Sequence, residues 1–286
     1  SSRQTVEHNL IGTINLLEYC RRSSAGLLLL STSRVYSIRD LSALPVTASG
    51  DALRLSSEAS GEADASDTTG AADKARESDA SVFLPGVSTL GIDESFSTAS
   101  PVSLYGGTKL ASEVLALEYH CAFGIPVWIN RCGILAGKGQ FGRPDQGIIA
   151  FWIHSWLSRR PLKYIGFGGR GEQVRDCLHP RDLGELLLRQ MADTSSGSTR
   201  IHNVSGGIES SFSLKQLSNW CGRNLGEHSV GSQPEDRAFD IPWLVLDSSI
   251  AREKWDWSPA ISRDAIVEEI AEFGRQNPDW LTVSGI

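Results

Sequence analysis

A chain of 286 residues with 40% hydrophobic residues holds enough apolar material for a substantial core, which excludes a disordered or fibrous protein and allows one large or two smaller domains. The formal net charge of -7 argues against nucleic acid or an anionic membrane as the main partner, and no stretch approaches the roughly 18 consecutive apolar residues of a membrane span. The cysteines Cys20, Cys121, Cys132, Cys177 and Cys221 are an odd, scattered set without a CxxC, which reads as reduced thiols of a cytoplasmic protein and implies no metal site and no disulfide framework.

Helical spacing of Leu10, Ile11, Ile14, Leu16 and Leu17 predicts a helix from Val6 to Cys20, ended by the basic pair Arg21-Arg22. The four leucines Leu27 to Leu30, set between Gly26 and Ser31, predict a strand buried on both faces, the pattern of a parallel sheet. From about 46 to 81 the chain becomes Ala, Ser, Gly, Asp and Glu, and it reads as a solvated insertion with no assigned secondary structure. A strong helix is predicted from Leu104 to Phe123 with Gly124 as its stop, followed by a buried strand over 125–130. Strand, helix and strand in this order specify an α/β fold with a parallel sheet. Gly-rich turns follow Arg131; beyond them come a predicted helix from Ile148 to Leu157, a strand over 162–165, a helix over 182–191 and a strand over 201–204. Three further helices are predicted around 214–221, 248–255 and 263–276.

Two constellations carry chemistry. In Tyr105-Gly-Gly-Thr-Lys109, residues four apart share a helical face, so the Lys109 ammonium can sit near the Tyr105 phenol and favour its phenolate, a general base. On spacing alone, an ordinary amphipathic surface accounts for the pair equally well. Ser31-Thr32-Ser33-Arg34-Val35-Tyr36 directly follows the buried strand, at the carboxyl end where parallel sheets place ligands; a Ser/Thr-rich capping turn is the plainer alternative.

Together these segments resemble the extended short-chain dehydrogenase/reductases, the NAD-dependent sugar-nucleotide epimerases and dehydratases. Asn9 to Glu18 is similar to the family helix before the catalytic strand, Leu30 to Tyr36 to its Ser/Thr segment, and Ser103 to Lys109 to its Tyr-x-x-x-Lys helix. Gln173 to His179 is similar to the family's Arg-Asp-x-x-His segment, and Arg237 to Asp247 followed by Trp257-Ser-Pro259 to its C-terminal Arg, Asp and Trp-x-Pro pattern. Gly139-Gln140-Phe141, Asp145-Gln146-Gly147 and the run Gly166 to Asp176 resemble the subfamily of CDP-paratose 2-epimerases.

The resemblance implies NAD as cofactor, a nucleotide-diphosphate sugar as substrate and C2 epimerisation of a CDP-deoxyhexose through a keto-sugar. It further implies Thr32, Tyr105 and Lys109 as the catalytic set, Ser31 and Asn9 beside the cofactor, Arg175 and Arg237 as the diphosphate clamp, and Gln140, Asp145 and Gln146 as substrate contacts. A homodimer through the helix over 104–123 is implied too. A UDP-sugar 4-epimerase and an inactive nucleotide-sugar-binding remnant are the alternatives.

Three departures matter. The family's dehydratases carry Asp-Glu after this Thr, and Ser33-Arg34 here disfavours elimination of water. Gly166-Phe-Gly168-Gly-Arg-Gly171 satisfies G-x-G-x-x-G but opens no amphipathic helix, so it is expected to be a substrate-domain turn rather than a dinucleotide site. The family's Gly-rich loop would precede the Asn9 helix, so the expected fold is a truncated Rossmann-type parallel sheet without its first half, with a smaller C-terminal α/β substrate domain. The expected boundaries are 1–135 for the NAD-binding part and 136–286 mainly for the substrate, with 176–205 returning to the Rossmann sheet.

Overall fold

The computed structural model describes residues 1–56, 84–144, 146–193, 200–235, 237 and 239–285. The chain opens with α1 (Ser2–Val6), a π-helical turn at Glu7–Ile11 and α2 (Gly12–Ser23), whose last turn holds Arg21 and Arg22 where the helix dipole favours cations. Next come β1 (Leu27–Thr32), a 3-10 turn at Ser33–Val35, α3 (Ile38–Ser42), and the antiparallel hairpin of β2 (Val46–Ser49) and β3 (Ala52–Leu55). A second small hairpin, β4 (Val87–Ser88) and β5 (Gly91–Ile92), precedes α4 (Ser103–Phe123). Gly124 stops α4 at φ 69°, in the left-handed region that glycine enters without penalty.

The chain continues through β6 (Val127–Cys132), β7 (Ile134–Leu135), α5 (Ile148–Leu157), β8 (Leu162–Ile165), β9 (Val174–Leu178), α6 (Pro180–Ala192) and β10 (Ile201–Val204). It ends with β11 (Ser211–Ser213), α7 (Leu214–Leu225), β12 (Val230–Gln233), β13 (Trp243–Leu244), α8 (Ser249–Trp255), α9 (Arg263–Gln276) and α10 (Trp280–Val283).

The predicted parallel sheet is present in the order β1-β6-β10, with all six residues of β6 buried. Alternation along β6 divides its side chains between two helical layers. Val127 and Ile129 pack with Leu17, Cys20 and Ala116 on the side of α2 and α4. Trp128 and Cys132 pack with Leu183, Leu186 and Trp255 on the side of α6 and α8. A sheet covered on both faces explains the continuous apolar run of the central β6. The expectation that β1 is buried on both faces is corrected: β1 lies at the edge of this sheet among the described residues, and Leu30 is 39% exposed. In a second sheet β9 is flanked by antiparallel β11 and parallel β13 and also pairs with β7; β8 and β12 form a separate parallel pair. Helices α5, α7 and α9 enclose the core beside these strands.

The solvated insertion expected from position 46 is corrected at its start. Residues 46–55 are a packed hairpin: Ala52 and Leu53 are buried with Val35, Tyr36 and Trp243, and the Leu53 amide donates to the Glu172 carbonyl at 2.9 Å. Its two-residue connection begins with Gly50 at φ 61°, the positive φ that tight hairpin turns require. The rest of the predicted insertion, 57–81, lies outside the described residues. Among the described residues, no helix is long and apolar enough to cross a membrane.

Candidate active site

Strand β1 ends at Thr32, level with Cys132 of β6, and both strands point their carboxyl ends at the start of α4. The Thr32 hydroxyl accepts from the Arg34 amide at 3.2 Å and so caps the following 3-10 turn. The first turn of α4 lies directly against this one. A Cβ on Gly106 would stand 2.2 Å from the Arg34 carbonyl oxygen, so only glycine permits the approach. That contact brings Tyr105, 40% exposed, near Thr32, close enough for the hydroxyl to favour the phenolate. One helical turn on, Lys109 Nζ donates to the Leu30 carbonyl at 2.5 Å. Thr32, Tyr105 and Lys109, predicted as a set from two distant segments, therefore converge on one edge of the sheet.

The electrostatics differ from expectation. Burial pushes the Tyr105 phenol above its ordinary value, and Thr32 and Arg34 act against that, favouring the phenolate. Lys109 is not among the groups that lower it, because its ammonium is turned to the Leu30 carbonyl. Burial in turn lowers Lys109, while Cys132 and Glu113 help retain its proton. Buried Cys132 is pushed up to about 12.

Beneath this edge lies a polar floor that the motifs do not disclose. Ser31, expected beside the cofactor, is buried and donates to Glu113, because strand alternation turns it away from Thr32 and toward α4. Glu113 Oε2 accepts from Arg131 Nη2 at 2.8 Å, with the two side chains 1% and 5% exposed. Arg131 lies over the Tyr36 ring at 5.1 Å, and the Tyr36 hydroxyl donates to Asn203 Oδ1 at 2.7 Å. The sequence does hold a signal for this network. Val127, Ile129 and Arg131 alternate onto one face of a buried strand, and an arginine there requires an anion.

Asn9 acts from the side. Its Nδ2 donates to Thr108 Oγ1 at 3.0 Å, between Tyr105 and Lys109 on α4. The π-helical turn around Asn9 frees its carbonyl to accept from Thr13 Oγ1 at 2.6 Å and Ser112 Oγ at 3.1 Å.

The predicted substrate residues lie on other elements. Arg175 on β9 is held by Asp240 at 3.3 Å and by the Ile241 carbonyl at 2.7 Å. Burial lowers it to about 10, with Asp240 opposing and the charge of Arg34 adding to the effect. Exposed Arg237 begins the turn in which the Asp240 amide donates to its carbonyl. Gln140 Nε2 donates to the Leu135 carbonyl at 2.7 Å, and its Oε1 is buried without a partner among the described residues. Gln146 is exposed, and Asp145 lies outside the described residues. Neither glutamine hydrogen-bonds to Thr32, Tyr105 or Lys109. The Gly166 to Gly171 run forms a 3-10 turn between β8 and β9 and opens no α-helix.

The layered α/β fold, with hydroxyl, phenol and ammonium near the carboxyl edge of a parallel sheet, is of the Rossmann type. More particularly, residues 77–205 of the chain match the Epimerase model of the NAD dependent epimerase/dehydratase family. The chain is similar to CDP-paratose 2-epimerase of Salmonella typhi, 27% identical over 182 residues, covering 60% of this chain and 51% of the relative. It is also similar to UDP-glucuronate 4-epimerase of Thermodesulfobacterium geofontis, 25% identical over 186 residues, covering 64% and 54%. Among solved structures it shares its fold with UDP-glucuronic acid 4-epimerase of Bacillus cereus, which holds UDP-glucuronic acid and NAD. The TM-score is 0.64 at 22% identity, covering 95% of this chain and 68% of that one. The chain spans about half the length of the curated relatives it matches.

Proposed function

We propose that this chain serves as an NAD-dependent nucleotide-sugar epimerase that inverts C2 of a CDP-deoxyhexose. The observation that carries the proposal is the convergence of Thr32, Tyr105 and Lys109 at the carboxyl edge of β1 and β6. This donor set fits the nicotinamide end of NAD: a half-buried ammonium tied only to a strand carbonyl, beside a phenol left 40% exposed. The chemistry NAD supplies when bound is reversible hydride exchange with a sugar carbon. Tyr105 takes the proton from the sugar hydroxyl and returns it, with Thr32 and Arg34 favouring its charged form. Thr32 donates to the reacting oxygen, and Lys109 holds the cofactor ribose. Asn9 supports the cofactor side by fixing Thr108 between Tyr105 and Lys109.

On the substrate side, Arg175 and Arg237 clamp the diphosphate, a task suited to the guanidinium fork. Gln140 Oε1, buried and unpartnered among the described residues, supports a substrate contact there, and Asp145 and Gln146 are proposed as further substrate contacts. We divide the chain into a cofactor-binding part over 1–135 and a mainly substrate-binding part over 136–286, from which 176–205 returns. Pairing of β10 with β6 supports the return. Exposed Leu16, Tyr19, Val114 and Phe123 on α2 and α4 support a homodimer through these helices. Ser33 and Arg34 supply no acid and base for elimination, so epimerisation is favoured over dehydration. Similarity to UDP-glucuronate 4-epimerases favours a second reading, inversion at C4 of a UDP-sugar.

The test supplies the protein with NAD and either CDP-paratose or UDP-glucuronate and locates the inverted carbon by proton NMR. Inversion at C2 of the CDP-sugar is expected. Inversion at C4 of the UDP-sugar would replace the first reading by the second, and inversion with neither would refute both.

A further inference from the structure

Arg34 has no role in the account above beyond its effect on Tyr105, yet its place is tightly fixed. Its amide is bound by the Thr32 hydroxyl at 3.2 Å, and its carbonyl oxygen meets the backbone of Gly106 so closely that no Cβ fits between them. The side chain therefore leaves a rigid turn wedged between the end of β1 and the first turn of α4. It is half-buried, and among the described residues its guanidinium takes part in no ion pair and no hydrogen bond. Two other shielded arginines are matched by carboxylates, Arg131 by Glu113 and Arg175 by Asp240, and buried Arg200 lies over the Trp128 ring at 4.4 Å. Shielding a guanidinium without an acceptor is unfavourable, and its five N–H donors suit a phosphate.

The charge of Arg34 is felt in two directions, at the Tyr105 phenol and at the Arg175 guanidinium. Arg34 is thus near enough to the proposed base and to the proposed diphosphate clamp for its charge to act on both. Like charges acting on one another are relieved by an anion that binds them. Sugar chemistry decides which anion group that is. C2 is bonded to C1, the carbon that carries the diphosphate, whereas C4 lies across the ring from it. With C2 at Tyr105, the phosphate attached to the sugar falls beside Tyr105, on the way to Arg175.

Resting on the C2 epimerase reading, we propose that Arg34 binds the sugar-linked phosphate of the nucleotide-diphosphate substrate and so sets the register that presents C2 to Tyr105. The test is calorimetric titration of the protein with CDP and with CMP, which differ by that phosphate. Arg34→Gln is expected to weaken CDP by about 10- to 100-fold, the worth of a charged hydrogen-bonded contact, and to leave CMP within about twofold. Arg34→Lys, which keeps a charge and places less demand on folding, should hold CDP within about tenfold of the wild type.

Equal weakening of both nucleotides by Arg34→Gln, or no weakening of CDP, would overturn the proposal. So would a wild-type protein that binds CDP no better than CMP. The product test stays separate. Inversion at C2 together with an unchanged CDP preference in Arg34→Gln sinks only the role of Arg34. A lost preference without inversion at C2 keeps the phosphate contact of Arg34 and sinks the C2 epimerase reading together with the register drawn from it.

Discussion

Ser31 and Thr32 are neighbours on one strand, yet they belong to regions built to opposite rules. Ser31 turns inward to a floor in which Glu113 and Arg131 neutralise each other and Tyr36 and Asn203 complete the hydrogen bonding, all of it buried. Thr32 turns to an edge where Tyr105 is 40% exposed and the Lys109 ammonium is held by a single strand carbonyl. In the floor, charges are matched at fixed distances; at the edge, polar groups keep spare capacity for a ligand. The period of two along a strand is enough to assign one residue to the buried floor and its neighbour to the proposed site.

The sharpest way to break this comparison is Tyr105→Phe. Removing the phenol oxygen should lower turnover by about 10²- to 10⁴-fold, the usual worth of a general base. The half-exposed ring remains, so the urea midpoint should correspond to a stability change within about 0.5 kcal/mol. A variant that unfolds instead would show the edge to be part of the framework.

Glu113→Ala addresses the other region. It leaves the Arg131 guanidinium 5% exposed with its carboxylate gone, and breaking a buried pair in this way costs about 3–5 kcal/mol. Glu113→Gln retains an acceptor for Ser31 and Arg131 and should cost less. Urea unfolding of both variants checks the order, and equal losses would show that the charge of Glu113 contributes nothing beyond its shape.

Much of the edge is legible in the sequence because it is encoded locally. The Tyr105 to Lys109 spacing is a helical turn, and Thr32 ends an apolar run that forms the strand β1. The floor is not legible as a motif, since Ser31, Glu113 and Arg131 come from three elements and each is an ordinary residue in its own window. Only the placement of Arg131 among Val127 and Ile129 betrays it. The hairpin over 46–55 is hidden for another reason. Its composition continues into the Ser- and Ala-rich stretch that follows, and its strands are only four residues long, with adjacent Ala52 and Leu53 both buried and so no alternation to read. The π-helical turn around Asn9 leaves the helical periodicity of Leu10 to Leu17 nearly unchanged, so hydrophobic pattern alone does not reveal it.

A second buried carboxylate sharpens the contrast between matched and unmatched charge. Asp176 is 2% exposed and accepts from the Leu246 amide at 2.9 Å, but among the described residues it forms no ion pair. Burial raises it from 3.8 to about 6, although the Leu246 and Gly207 amides favour the charged form. The folded protein therefore holds a proton that the unfolded chain has already released. Its stabilising contribution is full below the unfolded value and is lost as pH rises through about 6, with a slope of at most about 1.4 kcal/mol per pH unit. Asp176→Asn keeps an oxygen for the Leu246 amide and cannot ionise, so it removes that slope. Urea midpoints should shift in favour of the variant between about pH 4 and pH 7. A constant difference would mean that the charge of Asp176 is compensated as fully as that of Glu113, and that the floor extends beneath β9 as well.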